Sequence, residues 1–185
     1  MTLRRLEKDF YFKPALVLAG DLLGKYLHHH DMTGMIVETE AYKGVRDLAS
    51  HASWKRKQTC FPMWKEGGFT YVYLTYGVHH MLNISAGAEG DPQAVLVRAI
   101  EPITGIVGKT NGPGLLTKAL GINKDQNNVD LTDSPSLFLT ENPDTSASYY
   151  VVRATRVGVD YAGKFKDKKW RFFIKGNKFV SRIVK

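Results

Sequence analysis

Two β-prone runs, Phe69 to Leu74 and Val78 to Ser85, stand on either side of Thr75-Tyr76-Gly77, whose glycine can supply the positive φ that a tight hairpin needs. A hairpin there commits the chain to antiparallel pairing and leaves Tyr76 at an exposed tip. Within the first run Tyr71 and Tyr73 share one face while Val72 and Leu74 take the other, because strand side chains alternate.

Met35 to Tyr42 reads as a further strand, with Val37, Thr39 and Ala41 on one face and Glu38, Glu40 and Tyr42 on the opposite one, away from the expected core. Upstream, Pro14 suits a first helical position, and Ala15, Leu18, Ala19, Leu22, Leu23 and Tyr26 recur at three- and four-residue spacing, which predicts a helix over 14–27 followed by a loop from His28 to Thr33. Ala94 to Ile100 reads as a buried strand. Gly112-Pro113 opens a short second helix carrying Leu115, Leu116, Ala119 and Leu120, closed by Gly121. Residues 124–146, rich in Asp, Asn, Ser and Pro, read as loop, and Tyr149 to Val157, Trp170 to Lys175 and Lys178 to Val184 as late strands. The expected architecture is an α+β fold, one mixed sheet with peripheral helices and a protruding β-hairpin. At 185 residues and 43% hydrophobic side chains, residues 1–185 fit a single domain.

Charge narrows the partners. The last 22 residues hold nine Lys/Arg against Asp167, and removing these from the 26 basic and 18 acidic residues leaves 17 of each sign in the rest of the chain. The whole excess of +8 thus belongs to the C-terminal end, as suits a polyanion partner, although a solvated strand face accounts for charge alone equally well. There is no run of eighteen apolar residues to span a membrane, and MTLRRLEKDFYF lacks the apolar stretch of a secretion signal. One cysteine, Cys60, excludes an internal disulfide and suits a reducing compartment. These features predict a protein that is not secreted, cytoplasmic or nuclear according to its organism, with no membrane partner and no obligatory protein partner.

Glu38 and Glu40, two apart on one strand, point the same way beside Tyr42. Close carboxylates or an apolar pocket can make a carboxylate basic enough to take a proton from water, yet a solvent-facing strand end explains one glutamate as well. Phe69, Tyr71, Tyr73 and Tyr76 put four rings in eight residues, suited to stacking on an unpaired base if they line a cleft, and equally to a half-buried strand if they do not. Tyr76 is less ambiguous, because a ring at a tip contributes nothing to a core and is a natural wedge between stacked bases. Gly112-Pro113-Gly114 at a helix start suits a phosphate. The six histidines carry no metal-site spacing, which predicts no metal and no cofactor; His51 is better placed as a hydrogen-bonding group near the same cleft.

The motifs Ile36-Val-Glu-Thr-Glu-Ala-Tyr42, His51, Tyr71-Val-Tyr-Leu-Thr-Tyr-Gly77, Met81-Leu-Asn-Ile-Ser85 and Val95-Leu-Val-Arg-Ala-Ile-Glu-Pro102 together resemble the alkyladenine (3-methyladenine) DNA glycosylase family. Asn111-Gly-Pro-Gly114, Thr117 to Asn123, Arg156-Val-Gly-Val159, Ala162-Gly163 and Trp170 to Gly176 continue the likeness in the same order. The resemblance implies a curved antiparallel sheet and a monomeric, monofunctional enzyme of base-excision repair, free of metal and cofactor. Such an enzyme flips a damaged purine out of double-stranded DNA and hydrolyses its N-glycosidic bond. By the same resemblance Glu40 is the general base on water, and Arg98 and the backbone carbonyl of Val157 help to hold that water. Tyr42, His51 and Tyr73 line the base pocket, Asn83 filters bases and Tyr76 intercalates. Candidates for the DNA backbone are Val78, His79, Gly112, Gly114, Lys118 and Arg156. The chain departs from the family at Leu115, where lysine is usual, and in a shorter stretch 104–110. The competing reading is a non-catalytic nucleic-acid-binding module that uses tyrosine stacking and a basic C-terminal face.

Overall fold

The computed structural model describes residues 4–181. Its framework is one sheet of eight strands, ordered β3-β4-β5-β2-β1-β6, with β8 branching from β2 and β7 pairing β8. The strands are β1 (Tyr26–His29), β2 (Met32–Tyr42), β3 (Thr70–Thr75), β4 (His79–Ala86), β5 (Gln93–Thr104), β6 (Leu137–Thr140), β7 (Val151–Ala154) and β8 (Arg171–Ile174). Every pairing between them is antiparallel. The fold is the expected curved α+β arrangement, and β2 is the reason for the curve. One edge of β2 pairs β5 along nearly its whole length, whereas the other pairs β1 over Met32 to Met35 and then β8 over Glu38 to Glu40. The register against β5 slips on both sides of Glu38, and such bulges bend a strand and increase its twist.

Among the described residues three α-helices lie outside the sheet: α1 (Lys8–Tyr11), α2 (Ala15–Asp21) and α3 (Pro113–Leu120). Ala15, Leu18 and Ala19 of α2 pack with Ile36, Val37 and Ile84 in the main core, which Leu116 and Leu120 of α3 also enter. Helix α3 begins at Pro113 and is closed by Gly121 in the left-handed conformation, as its sequence predicts. Helix α2 is shorter than the predicted 14–27. The chain turns at Gly24, whose φ is +82°, and Gly24 and Lys25 then exchange backbone hydrogen bonds with Ile36, so that Tyr26 starts a strand. Of the loop expected from His28 to Thr33 only His30 and Asp31 form a turn; His28 and His29 end β1 and pair Thr33 and Met32 of β2.

Three other sequence expectations change. Strand β6 lies inside the segment read as loop, where Leu137 to Thr140 pair β1. No strand forms over residues 178–181, and the rest of the predicted run Lys178 to Val184 lies outside the described residues. Met35 to Tyr42 was expected to expose its glutamate face, but residues 34–41 are buried throughout. The segments 44–64 and 155–165 cover the far side of the sheet, adding two small apolar clusters. One centres on Ala52, Cys60, Met63 and Tyr71; the other joins Ala49, Val159 and Ala162. A cleft opens between them.

Candidate active site

The cleft, about 570 Å³, is walled by Tyr42, His51, Tyr73, Asn83, Arg98 and Val157, with Trp54, Lys55, Met81, Leu96 and Tyr161 completing its sides. All four expected base-pocket residues thus meet in one place. Two other surface depressions, of about 490 and 950 Å³, contain none of them.

Glu40 does not line the cleft; it lies directly behind three residues that do. Its carboxylate is fully buried (0% exposed). Oε1 accepts from the Val157 backbone N–H at 2.7 Å and lies 3.3 Å from an Arg98 guanidinium nitrogen, while Oε2 accepts from the Tyr42 hydroxyl at 2.9 Å. A carboxylate offers about four lone pairs, so about one remains for a further donor. At Val157 the group that meets Glu40 is the backbone amide. Tyr42 is a donor because burial first, and then the Glu40 charge, hold its phenol far above the ordinary tyrosine pKa.

Glu38 is equally buried and belongs to the same network. Arg98 Nε donates to its Oε1 at 3.3 Å, Arg171 donates to the same oxygen at 2.8 Å, and the Ser181 N–H donates to Oε2 at 2.6 Å. A shared cation thus stands between the two carboxylates. Arg98 has no freedom to leave: burial alone would lower its pKa, but Glu40 and Glu38 more than reverse this. Arg171, one of the nine C-terminal basic residues, is therefore interior, whereas Lys164, Lys166, Lys168, Lys169, Lys175 and Lys178 are exposed.

Beneath Tyr42 lies a second buried pair that has no local signature in the sequence. Arg156 grips Asp47 through two hydrogen bonds of 2.6 and 2.8 Å, donates to the Ala41 carbonyl at 3.0 Å, and sets its guanidinium 4.8 Å from the centre of the Tyr42 ring. Both side chains are fully buried. Arg156, a candidate for the DNA backbone on charge, thus supports the pocket floor.

His51 sits in a 3-10 turn begun by Ser50, whose side chain accepts from the Ala52 N–H. Its Nδ1 shares a 2.8 Å hydrogen bond with the Tyr71 hydroxyl, and its ring meets that of Tyr73 edge-on at 4.3 Å. Burial, and secondarily the Lys55 charge, pull its pKa down to about 4, so the imidazole is neutral near pH 7. Tyr71 is thereby tied into the pocket wall as the partner of His51. Asn83 donates to the Tyr71 carbonyl at 3.1 Å, which fixes its amide across the β3–β4 pairing.

The hairpin projects beyond the cleft. Tyr76 is 94% exposed, and it and Gly77 adopt φ of +50° and +69° in a turn closed by the Val78 N–H to the Thr75 carbonyl. A left-handed tyrosine is uncommon, and such conformations concentrate where function holds them. Val78 is exposed as well. His79, at the base, packs against the start of α3, where a Cβ on Gly114 would come within 2.8 Å of its side chain. Gly114 is therefore required for packing. Gly112 stands before it in extended backbone as the N-cap of α3, and Lys118 is exposed in the last turn of that helix, away from its start. Leu115 is partly exposed beside Gly112, and the short stretch 104–110 turns at Gly105 and is pinned by the Thr110 hydroxyl to the Ile100 carbonyl at 2.6 Å. The six histidines do not converge: among the described residues no three His, Cys, Asp or Glu side chains are grouped to hold a metal ion. No described helix is long and apolar enough to cross a membrane.

The family pattern described as methylpurine-DNA glycosylase (MPG) matches residues 9–178, a span that includes every residue named in the cleft. The chain belongs to this family. Relatives whose assigned name is 3-methyladenine DNA glycosylase agree along nearly the full length. One from Anaeromyxobacter sp. (strain Fw109-5) is 43% identical over 182 residues, covering 96% of this chain and 93% of its own. One from Desulfitobacterium hafniense (strain Y51) is 40% identical over 204 residues, with 97% and 99% covered. One from Borrelia garinii subsp. bavariensis is 43% identical over 187 residues, with 96% and 100% covered. As a member of the methylpurine-DNA glycosylase family the chain is a DNA glycosylase, a DNA-repair enzyme that acts on DNA.

Proposed function

We propose that this glycosylase flips a damaged purine from duplex DNA into the cleft and hydrolyses its N-glycosidic bond, with Glu40 as general base. The observation that supports this most is the position of the Glu40 carboxylate, buried behind the cleft wall and oriented by three wall groups, the Val157 amide, Arg98 and Tyr42. In water such a carboxylate would be a weak base and a mobile one; here both oxygens are fixed and the surroundings exclude bulk solvent. A water taking the remaining lone pair of Glu40 gives up its proton to that carboxylate as its oxygen bonds to C1′ of the sugar. The bond from C1′ to the purine nitrogen breaks with its electron pair leaving on the base. Positive charge grows on the sugar as that bond lengthens, and anionic Glu40 opposes it electrostatically. Arg98 keeps the carboxylate aimed, and Glu38 keeps Arg98 in place.

The aromatic walls account for preference among bases. Tyr42 and Tyr73 offer π faces, which bind electron-poor rings best, and neutral His51 adds no competing positive charge. Flipping costs a few kcal/mol, least at weakened pairs, so damage is favoured before the pocket is reached. Tyr76 fills the space that the flipped nucleotide leaves. Replacing Tyr76 with serine is expected to weaken binding to lesion-containing duplex at least about tenfold while affecting flexible single strands little, since only a closed stack has a gap to fill. Fluorescence anisotropy on matched duplex and single-stranded probes measures both; equal losses on the two would remove the wedge role.

A further inference from the structure

Lys55 is a cation inside the cleft, and among the described residues no carboxylate pairs with it. Its Nζ lies 5.2 Å from the centre of the Tyr73 ring and 5.3 Å from that of Trp54, and both rings belong to the cleft wall. The backbone fixes this placement, because the Lys55 N–H donates to the His51 carbonyl at 2.8 Å and the Trp54 ring stands edge-on to His51 at 5.1 Å. No described carboxylate comes within ion-pair distance of Lys55, and burial pulls its pKa below the ordinary lysine value. An ammonium has three donors and no acceptor, and Lys55 is only partly exposed, so an acceptor brought by the substrate can replace the water that serves it. Meanwhile it already covers π surface that an incoming base would use.

We propose that Lys55 is a specificity-determining residue that shifts the cleft toward neutral purines carrying a ring carbonyl, such as deaminated adenine, and away from permanently cationic alkylated purines. This rests on the reading that the cleft holds the flipped base. A cationic base stacking on Tyr73 must displace the ammonium from that ring and then remain near a like charge in a partly desolvated site. A carbonyl-bearing neutral base meets the opposite situation, since its oxygen can accept from Nζ and the charged donor strengthens the bond. The selectivity for electron-poor rings that the aromatic walls would otherwise give is correspondingly reduced at Tyr73 and left to the Tyr42 side.

Single-turnover release from duplexes carrying either hypoxanthine or 3-methyladenine, a cationic purine without a ring carbonyl, compared for wild type, Lys55→Met and Lys55→Arg, tests this. Methionine keeps the stem and removes the charge; arginine keeps the charge. The ratio of 3-methyladenine to hypoxanthine release is expected to rise about tenfold in Lys55→Met and to stay near the wild-type value in Lys55→Arg. An unchanged ratio in Lys55→Met overturns the proposal. So does an equal loss on both lesions with a shallower salt dependence, which would make Lys55 a phosphate contact. Wild-type protein that binds both duplexes and releases neither base would bring down the reading of the cleft itself, and Lys55 with it, which distinguishes that failure from a failure of Lys55 alone.

Discussion

Glu40→Gln is expected to slow base release by about 10³-fold, within the range that a positioned general base contributes, while binding to damaged duplex survives. Glutamine has nearly the same volume, and its amide oxygen can still accept from the Val157 N–H that now meets Oε1. What it lacks is the charge and the proton affinity. It can neither take a proton from water nor oppose the cation that develops on the sugar. Arg98 would lose one of its two carboxylates but keep Glu38, so the cleft wall should hold its shape. Single-turnover release with protein in excess separates this from weakened binding. Undiminished release by Glu40→Gln would exclude Glu40 as the base, and loss of binding in step with release would mean that it acts on structure.

The second large effect is on stability. Asp47→Ala should cost about 3–5 kcal/mol, because it leaves the Arg156 guanidinium buried without its counter-charge. For a chain of this size that corresponds to a fall in Tm on the order of 10 °C. The loss extends beyond the pair, since Asp47 also accepts from the Lys43 and Ala49 N–H groups and so ties down the loop next to Tyr42. The paired substitution Asp47→Leu with Arg156→Met should recover much of the stability, because removing both charges removes the desolvation cost along with the attraction. Thermal unfolding of the two variants against wild type measures this; a shift below about 1 kcal/mol for Asp47→Ala would show the pair to be solvated.

These two predictions also mark what can be read from the chain before it folds. The hairpin at Tyr76, the shared face of Glu38 and Glu40, and α3 between Pro113 and Gly121 depend on local signals, a turn glycine, a period of two and helix-end residues. The early end of α2 was hidden because Leu22, Leu23 and Tyr26 keep helical spacing past Gly24; pairing with β2 decides that segment. Strand β6 was hidden because its four residues are flanked by turn-formers and are recruited by β1. Long-range electrostatics were hidden most completely. Arg156 and Asp47 are 109 positions apart, and Arg171 and Glu38 are 133 apart, so basic residues that suggest a DNA contact by charge are committed to carboxylates inside the protein. For Glu40 the sequence showed a carboxylate on a strand, with an ordinary solvent-facing end as good an explanation, until the ordered family motifs singled it out. Lys55 carried no sequence signal, because its importance lies in which ring it covers.

Whether the buried Glu40 carboxylate serves a hydrolysis in the aromatic cleft is decided by product analysis with wild-type protein. Duplexes carrying one alkylated or deaminated purine at a defined position would be incubated with excess protein, then examined both for free base and for alkali-labile abasic sites. Free base and abasic site are expected in equal amounts for at least one of these lesions. Tight binding to all of them with every glycosidic bond intact would contradict this and leave the cleft a place where bases are held but not cut.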